Sequence, residues 1–406
     1  MKILHTSDWH IGKRMKERER FDEFRKFFNW LEDLINREKI DVLLAAGDIF
    51  DNTTPSVQAQ NIYYSFLSSL AKSECRHCVI ISGNHDSAAF IDAPSELLNI
   101  SNIHVVGQAS QDPDGEIIIL HEPDLIVCAV PYLRDRDVRA SNLNDNFHEI
   151  ESALKNGIKS HYREIFSRAL EIRGGLNVPI IAMGHLFAQK GSVRFQTCAL
   201  PIYVGTAAEI ESKIFPEYLA YTALGHLHSP QFIERENIRY SGSPIAMTFA
   251  EALTRKSVTL IDIDDKTGKI NINEIPVPVF QKLARAIGDD GKIFAELENL
   301  AAQSKPGESV WIEITYTGND LIENFREKLD EFIQKFPELE IFTVYDERAG
   351  ILSLESAPDV ITQGLENITP LEMLNKCFDE NNVAEEQRGI FIRLYNEILQ
   401  ELDGEF

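Results

Sequence analysis

"AYTALGHLH" (residues 220–228) is a short apolar run that ends in Gly225 and then alternates His226, Leu227 and His228. The same construction recurs as "KILHTSDWH" (2–10), "DVLLAAGD" (41–48), "CVIISGNHD" (78–86) and "PIIAMGH" (179–185). Each holds a run of about four to seven mostly apolar, partly β-branched residues, as expected of strands covered on both faces. Each then closes on a polar cluster at the carboxyl end of the run. Between the first two lies "FDEFRKFFNWLEDLINREK" (21–39), where Phe21, Phe24, Phe28, Leu31 and Ile35 recur at helical spacing. This predicts an amphipathic crossover helix. Strands alternating with helices predict a layered α/β fold with its site at the carboxyl ends of the strands.

Those ends carry Asp8, His10, Asp48, Asn84, His85, Asp86, His185, His226 and His228. Taken singly, a histidine at a strand end is an ordinary surface residue and "NHD" an ordinary turn. Together, the five strands deliver Asp, Asn or His to one edge, mostly after a glycine or serine that lets backbones approach closely. Carboxylate, imidazole and one amide, without thiolate, suit Mn, Fe or Zn in a catalytic site and argue against structural zinc. The set is too large for one ion and suits two that share a carboxylate. From an extended chain His226 and His228 point the same way, with Cα atoms about 6–7 Å apart. They can then serve neighbouring ions about 3.5–4 Å apart, the spacing of a two-metal phosphoryl-transfer site.

Composition is compatible with that reading. A chain of 406 residues with 44% hydrophobic residues can bury a large core and a second domain. No stretch of about 18 apolar residues appears, so no membrane span is expected. "MKILHTSD" lacks the apolar region of a secretory signal, and five cysteines do not form a disulfide framework, so a cytoplasmic protein is expected. The net charge of −24 is uneven. Residues 281–406 hold 27 Asp+Glu against 11 Lys+Arg, so the first 280 residues are far less acidic and a nucleic-acid substrate stays open.

"SDWHIG" (7–12), "GDIFD" (47–51), "GNHD" (83–86), "GH" (184–185) and "GHLH" (225–228), in this order, resemble the calcineurin-like metallophosphoesterase superfamily. "ILHTSDWHIGK" (3–13), "AAGDIFD" (45–51) and "YSGSPIAMTF" (240–249) resemble, more narrowly, the SbcD-type nuclease subunits of bacterial SbcC–SbcD complexes. The resemblance covers about the first 260 residues and extends more weakly beyond. It implies a metallophosphoesterase sandwich in which Asp8, His10 and His228 bind one metal and Asn84, His185 and His226 a second. Asp48 would bridge the two ions, with Mn²⁺ the expected metal. His85 would not be a ligand but would contact the phosphate and assist the leaving oxygen. Asp86 and Asp51 are each either turn residues or groups that orient His85 or a ligand.

The implied activity is Mn²⁺-dependent 3′→5′ double-strand exonuclease and single-strand or hairpin endonuclease action on DNA, in end processing, recombination, replication and repair. The implied partner is the SbcC ATPase, with this subunit as a homodimer within a heterotetramer. The chain itself has no GxxxxGK[ST] phosphate loop. A small-molecule or protein phosphatase of the same superfamily and a metal-free scaffold are the competing readings. The resemblance divides the chain into a nuclease domain (1–276), a small α/β capping domain (277–364) and a C-terminal helical tail (365–406). The two tail helices either pack on their own domain or, as the resemblance implies, dock on SbcC.

Other stretches are less specific. "CRHC" (75–78) has the spacing of a metal or redox pair but no second CxxC, and reads as ordinary cysteines. "KRMKERER" (13–20), with Lys13 and Arg14 at its head, could touch a DNA backbone or simply form a solvated helix start. "SGSP" (241–244) reads as a tight turn, and the uncharged "FQTCALPI" (195–202) departs from the charged loop usual in the family. "PVPVF" (276–280) cannot be an interior strand. Beyond it, a strand (309–317), a helix (320–336) and a strand (340–346) are expected. "TPLE" from Thr369 reads as a capping box opening the first of two tail helices.

Overall fold

The computed structural model describes residues 1–138, 147–189, 210–264, 267–304, 307–318 and 322–346, with the single further residue Arg388. One six-stranded sheet has the order Ile270–Pro276, Ser257–Ile263, Lys2–Thr6, Val42–Ala46, His77–Ile81, Ile103–Val106. Its last four strands are parallel. A second has the order Gln231–Ile233, Arg235–Tyr240, Tyr221–Gly225, Ile180–His185, Leu125–Ala129, Ile117–Leu120, with its middle four strands parallel.

The sheets stack face to face because their strands are apolar on both faces. Ile3, Val42, Leu44, Ala46, Val79 and Ile81 of the first pack against the second sheet's inner residues, among them Val127, Ile181, Met183 and Ala223. The alternate residues Leu4, Leu43, Ala45, Cys78 and Ile80 face outward into a separate core under two helices. Each fully buried Val, Leu or Ile contributes about 1.5–3 kcal/mol relative to exposure. The outer face of the second sheet is covered by the helix Phe147–Arg173 through residues such as Ile158, Tyr162 and Phe166. The result is a four-layer α/β sandwich.

The crossover helix runs Phe21–Glu38, and Phe27 and Leu34 widen the apolar stripe read from its spacing. It stops where Lys39 turns left-handed (φ 53°) and returns its N–H to the carbonyls of Asn36 and Ile35. The next helix, Val57–Leu70, starts on Ser56, whose hydroxyl accepts the Ala59 N–H. Trp9, inside "SDWH", is fully buried and edge-on to Phe28 and Phe66, one from each helix. It pins the loop bearing Asp8 and His10 to the helical layer.

Beyond Pro276, which ends an edge strand as its ring requires, a three-stranded sheet orders Lys282–Gly288, Val310–Tyr316 and Leu339–Asp346. Helices Asp290–Ala302 and Ile322–Ile333 bury Ile293, Leu297, Phe325 and Leu329 against it. The strand Lys282–Gly288 and the helix after it are not expected from sequence: Lys282 and Arg285 break the apolar run. Nor are Ile103–Val106, Ile117–Leu120 and Leu125–Ala129, which do not end in the ligand types that mark the others. Met15 and Phe249 meet Trp311 in a small core, flanked by Leu283 and Phe342, that joins this unit to the sandwich.

"FQTCALPI" and, apart from Arg388, the tail from residue 365, including "TPLE", lie outside the described residues. Among the described residues no helix is long and apolar enough to cross a membrane.

Candidate metal centre

The five strand ends converge on one edge of the sandwich. Asp8, His10, Asp48 and His226 all have left-handed backbone (φ 52°, 47°, 49° and 102°). For residues other than glycine such conformations cost of order 1–3 kcal/mol each and persist only where surroundings fix them. Here the Asp8 N–H donates to the Gly47 carbonyl at 3.0 Å and the His10 N–H to the Asp48 carbonyl at 2.9 Å. The glycines beside these clusters permit close approach. A Cβ on Gly225 would lie 1.9 Å from the Ala46 carbonyl oxygen, and one on Gly83 2.1 Å from Asp48 Oδ1.

Two groups of donors result. In one, Asp8 is fully buried, with Oδ2 accepting from Ser7 Oγ at 2.6 Å and Oδ1 from the His226 N–H at 2.8 Å. Beside it the Nε2 atoms of His10 and His228 face each other at 3.1 Å. In the other, Asn84 Oδ1 lies 3.1 Å from His185 Nε2 and 3.0 Å from His226 Nδ1. Asp48 stands between them, with Oδ2 3.5 Å from His10 Nε2 and 3.3 Å from His185 Nε2. The structure thus brings all seven sequence-read ligands together, with His85 at their rim.

The donor set fits divalent cations. The His185 Nδ1–H donates to the Ala46 carbonyl at 2.9 Å, so in the neutral ring the Nε2 lone pair faces the oxygens of Asn84 and Asp48. Acceptors facing acceptors call for a positive charge between them, which a bound cation would supply and which, without one, a proton on His185 supplies. Burial opposes the ionisation of Asp48, but His185, with His10 and His85, outweighs it and holds the carboxyl well below its usual range. Burial likewise opposes protonation of His185, yet Asp48 and Asp8 raise it to about 9. His226 goes the other way, down to about 4, through burial and the charge on His185. Atoms of Asp8, His10 and His228, and of Asp8, Asp48 and His185, lie within 4.8 Å of one another.

His85, Asp51 and Asp86 have separate places. The His85 N–H donates to Asp48 Oδ1 at 2.9 Å, and its Nδ1–H to the Asp51 carbonyl at 2.9 Å. The Asp51 carboxylate faces Lys13 Nζ at 3.1 Å and His10 Nδ1 at 3.5 Å. Although its atoms also cluster with those of His10 and His85, the lysine already balances its charge. Asp86 acts on backbone rather than on a histidine ring. It accepts the N–H groups of Ile49 (3.0 Å), Phe50 (2.9 Å) and Gly83 (2.8 Å), clamping the loops that carry Asp48 and Asn84 together. Burial and the charge of Asp48 push it up to about 7 against those three donors.

The basic stretch 13–20 is largely engaged within the chain. Besides Lys13, Arg14 donates to the Glu17 carbonyl, Arg20 to Glu23 and the Ala246 carbonyl, and Lys16 sits 5.2 Å over the Tyr345 ring. Arg18 pairs with Glu340 and stacks over Phe342 at 5.2 Å. This segment therefore braces the sandwich against the 282–346 unit. "CRHC" holds ordinary free thiols: Cys78 is buried, and burial pushes the Cys75 thiol up to about 12.

Sequence reasoning missed three groups at the rim. Tyr132, whose ring centroid is 6.2 Å from that of His185, and Arg134, which donates to the Asp86 carbonyl at 3.0 Å, follow the strand Leu125–Ala129. The strand-end rule finds them once that strand is recognised. Glu251, 3.0 Å from His228 Nδ1, carries no local signal.

Comparison with known proteins identifies the family. Residues 1–196 match the family described as Calcineurin-like phosphoesterase, and residues 279–382 that described as Type 5 capsule protein repressor C-terminal domain. The SbcD subunit of the nuclease SbcCD from Escherichia coli (strain K12) is 30% identical over 414 residues, covering 100% of this chain and 99% of the relative. The chain belongs to the SbcD family of calcineurin-like phosphoesterases. The corresponding SbcCD subunits of Rhodobacter capsulatus (32% identical; 83% of this chain, 85% of the relative) and Bacillus subtilis (35%; 64% and 66%) are further SbcD-family relatives.

Asp86 gives this site a direct test. Asp86→Ala would leave three buried N–H groups unpaired, at about 1–3 kcal/mol each, and should lower stability by about 3 kcal/mol or more. Urea unfolding measures this; an unchanged midpoint would contradict the clamp.

Proposed function

We propose that this chain is the nuclease subunit of an SbcC–SbcD-type complex, a two-metal DNA phosphodiesterase. The observation that carries the reading is Asp48 Oδ2 standing within 3.5 Å of an imidazole nitrogen from each donor group. Asp8, His10 and His228 would hold one ion, Asn84, His185 and His226 the other, and Asp48 both. Imidazole with carboxylate and amide oxygen, and no thiolate, suits Mn²⁺. When bound, the ions would supply Lewis-acid polarisation of the phosphate and activation of water.

The chain's own residues do the rest. Asp86 keeps the loops bearing Asp48 and Asn84 in register, so the donors are preorganised. The Ala46 carbonyl fixes the ring of His185. His85, anchored through Nδ1 to the Asp51 carbonyl, presents Nε2 as the ring position that can hold a proton for the departing 3′-oxygen. Membership of the SbcD family supports a DNA substrate, and the proposed action is 3′→5′ exonuclease and endonuclease cleavage of DNA ends and hairpins, in end processing, recombination and repair. An SbcC-type ATPase would supply ATP hydrolysis, with this chain as a homodimer in a heterotetramer in the cytoplasm.

Two variants separate metal binding from chemistry. Asp48→Ala should lose bound Mn²⁺ and all cleavage of a hairpin duplex together. His85→Ala should keep both ions while single-turnover cleavage drops by about 10²–10⁴, as for a lost acid–base group. Two ions retained in Asp48→Ala, or unaltered cleavage by His85→Ala, would contradict these roles. A small aryl phosphate diester assayed alongside distinguishes a nuclease from a general phosphodiesterase.

The partner rests on the tail. Deleting residues 366–406 should abolish co-purification with the SbcC-type ATPase and leave Mn²⁺-dependent cleavage of simple DNA intact. Full-affinity binding by the truncated chain would remove the docking role.

A further inference from the structure

His228 is held from behind by a charged assembly that contributes nothing to the seven-residue set. Its Nδ1 lies 3.0 Å from Glu251 Oε1. The other oxygen of Glu251 accepts from Lys256 Nζ at 2.7 Å and from the Met247 N–H at 3.1 Å. Lys256 is only 8% exposed, unusual for a lysine, and its remaining bonds go to Ser243 Oγ at 2.8 Å and the His228 carbonyl at 2.9 Å. The Ser243 N–H donates to that same carbonyl at 3.2 Å. Both the ring and the backbone of His228 are therefore gripped by the segment 243–256.

We propose that Glu251 is a positioning residue for the first metal: it fixes His228 as the Nδ1–H tautomer and aims its Nε2 lone pair at the ion. The proposal rests on His228 being a ligand, as proposed above. The carboxylate accepts the Nδ1–H, which leaves Nε2 unprotonated in the neutral ring. Nε2 is the atom that faces His10 Nε2. Lys256 neutralises Glu251 and holds its second oxygen, so the carboxylate cannot turn away to ligate an ion itself.

The grip also has a direction. Phe249, two residues before Glu251, is buried with Met15 and Trp311. Arg20 donates to the Ala246 carbonyl at 2.8 Å. The segment that orients His228 is thereby seated on the joint between the sandwich and the 282–346 unit. The rings of the other donor group are anchored elsewhere: His185 donates to the Ala46 carbonyl, and His226 Nδ1 lies 3.0 Å from Asn84 Oδ1. A fault in Glu251 should loosen one ion and spare the other.

Mn²⁺ titration of the full chain, with free Mn²⁺ followed by electron paramagnetic resonance, reads the two ions separately from turnover. Glu251→Ala should weaken one of the two binding steps by about 10–100-fold, the usual effect of losing an outer partner of a metal-bound histidine, and leave the other step unchanged. Glu251→Gln, whose amide oxygen can still accept the Nδ1–H, should recover most of the loss. If Glu251→Ala folds poorly, Lys256→Met tests the same grip and should weaken the same step alone. Wild-type affinity for both ions in Glu251→Ala, or equal weakening of both steps, would overturn the proposal. His228→Ala is the control: losing one ion there while Glu251→Ala keeps both would sink the positioning role and leave the site intact. Both ions retained in His228→Ala would overturn the site and this inference with it.

Discussion

A carboxylate buried to 2% exposure, Asp48, stands at the seam between two sheets with imidazoles on either side. Isolated burial of such a charge is prohibitive, and it is tolerated only where positive charge and hydrogen bonds converge on it. Most of the surrounding structure follows from that requirement. His185 reaches it from the second sheet, His10 from the first, and the His85 N–H covers its other oxygen. The left-handed backbone at Asp8, His10, Asp48 and His226 is the strain that such convergence exacts, and Asp86 and Trp9 are what hold it in place. The proposed divalent pair shared through Asp48 would satisfy both donor groups at once.

The two donor groups are supported differently. The side of the site that holds Asn84, His185 and His226 is built from strand ends whose positions are set by the inter-sheet core. The side that holds His10 and His228 is tied through residues 13–20 and 243–256 to the three-stranded unit. Arg18 with Glu340, and Met15 and Phe249 with Trp311, make that tie. A basic segment whose sequence looks available for DNA is, in the folded chain, mostly structural.

The elements that are legible in the sequence are those whose cause is local. Apolar runs ending in Gly-plus-ligand clusters mark the strand ends, and helical spacing of Phe21, Phe24, Phe28, Leu31 and Ile35 marks the first crossover helix. What escapes has its cause elsewhere in the chain. Asp86 acts on Ile49 and Phe50, more than 35 residues earlier, and looks like a turn residue until those loops meet. Glu251 meets His228 across a separation of 23 residues. Arg18 finds Glu340 and Phe342 only once the last strand has folded over. The strand Leu125–Ala129 is hard to read because its polar flank carries Tyr132 and Arg134 rather than Asp, Asn or His close after a glycine or serine. Local chemistry identifies the donors; long-range packing decides what orients them.

Anomalous diffraction at the manganese edge, from crystals of the full chain grown with Mn²⁺, tests the central claim most directly. The account predicts two peaks about 3.5–4 Å apart, one against Asp8, His10 and His228, the other against Asn84, His185 and His226, with Asp48 touching both. A single peak, or two peaks of which Asp48 touches only one, would contradict it.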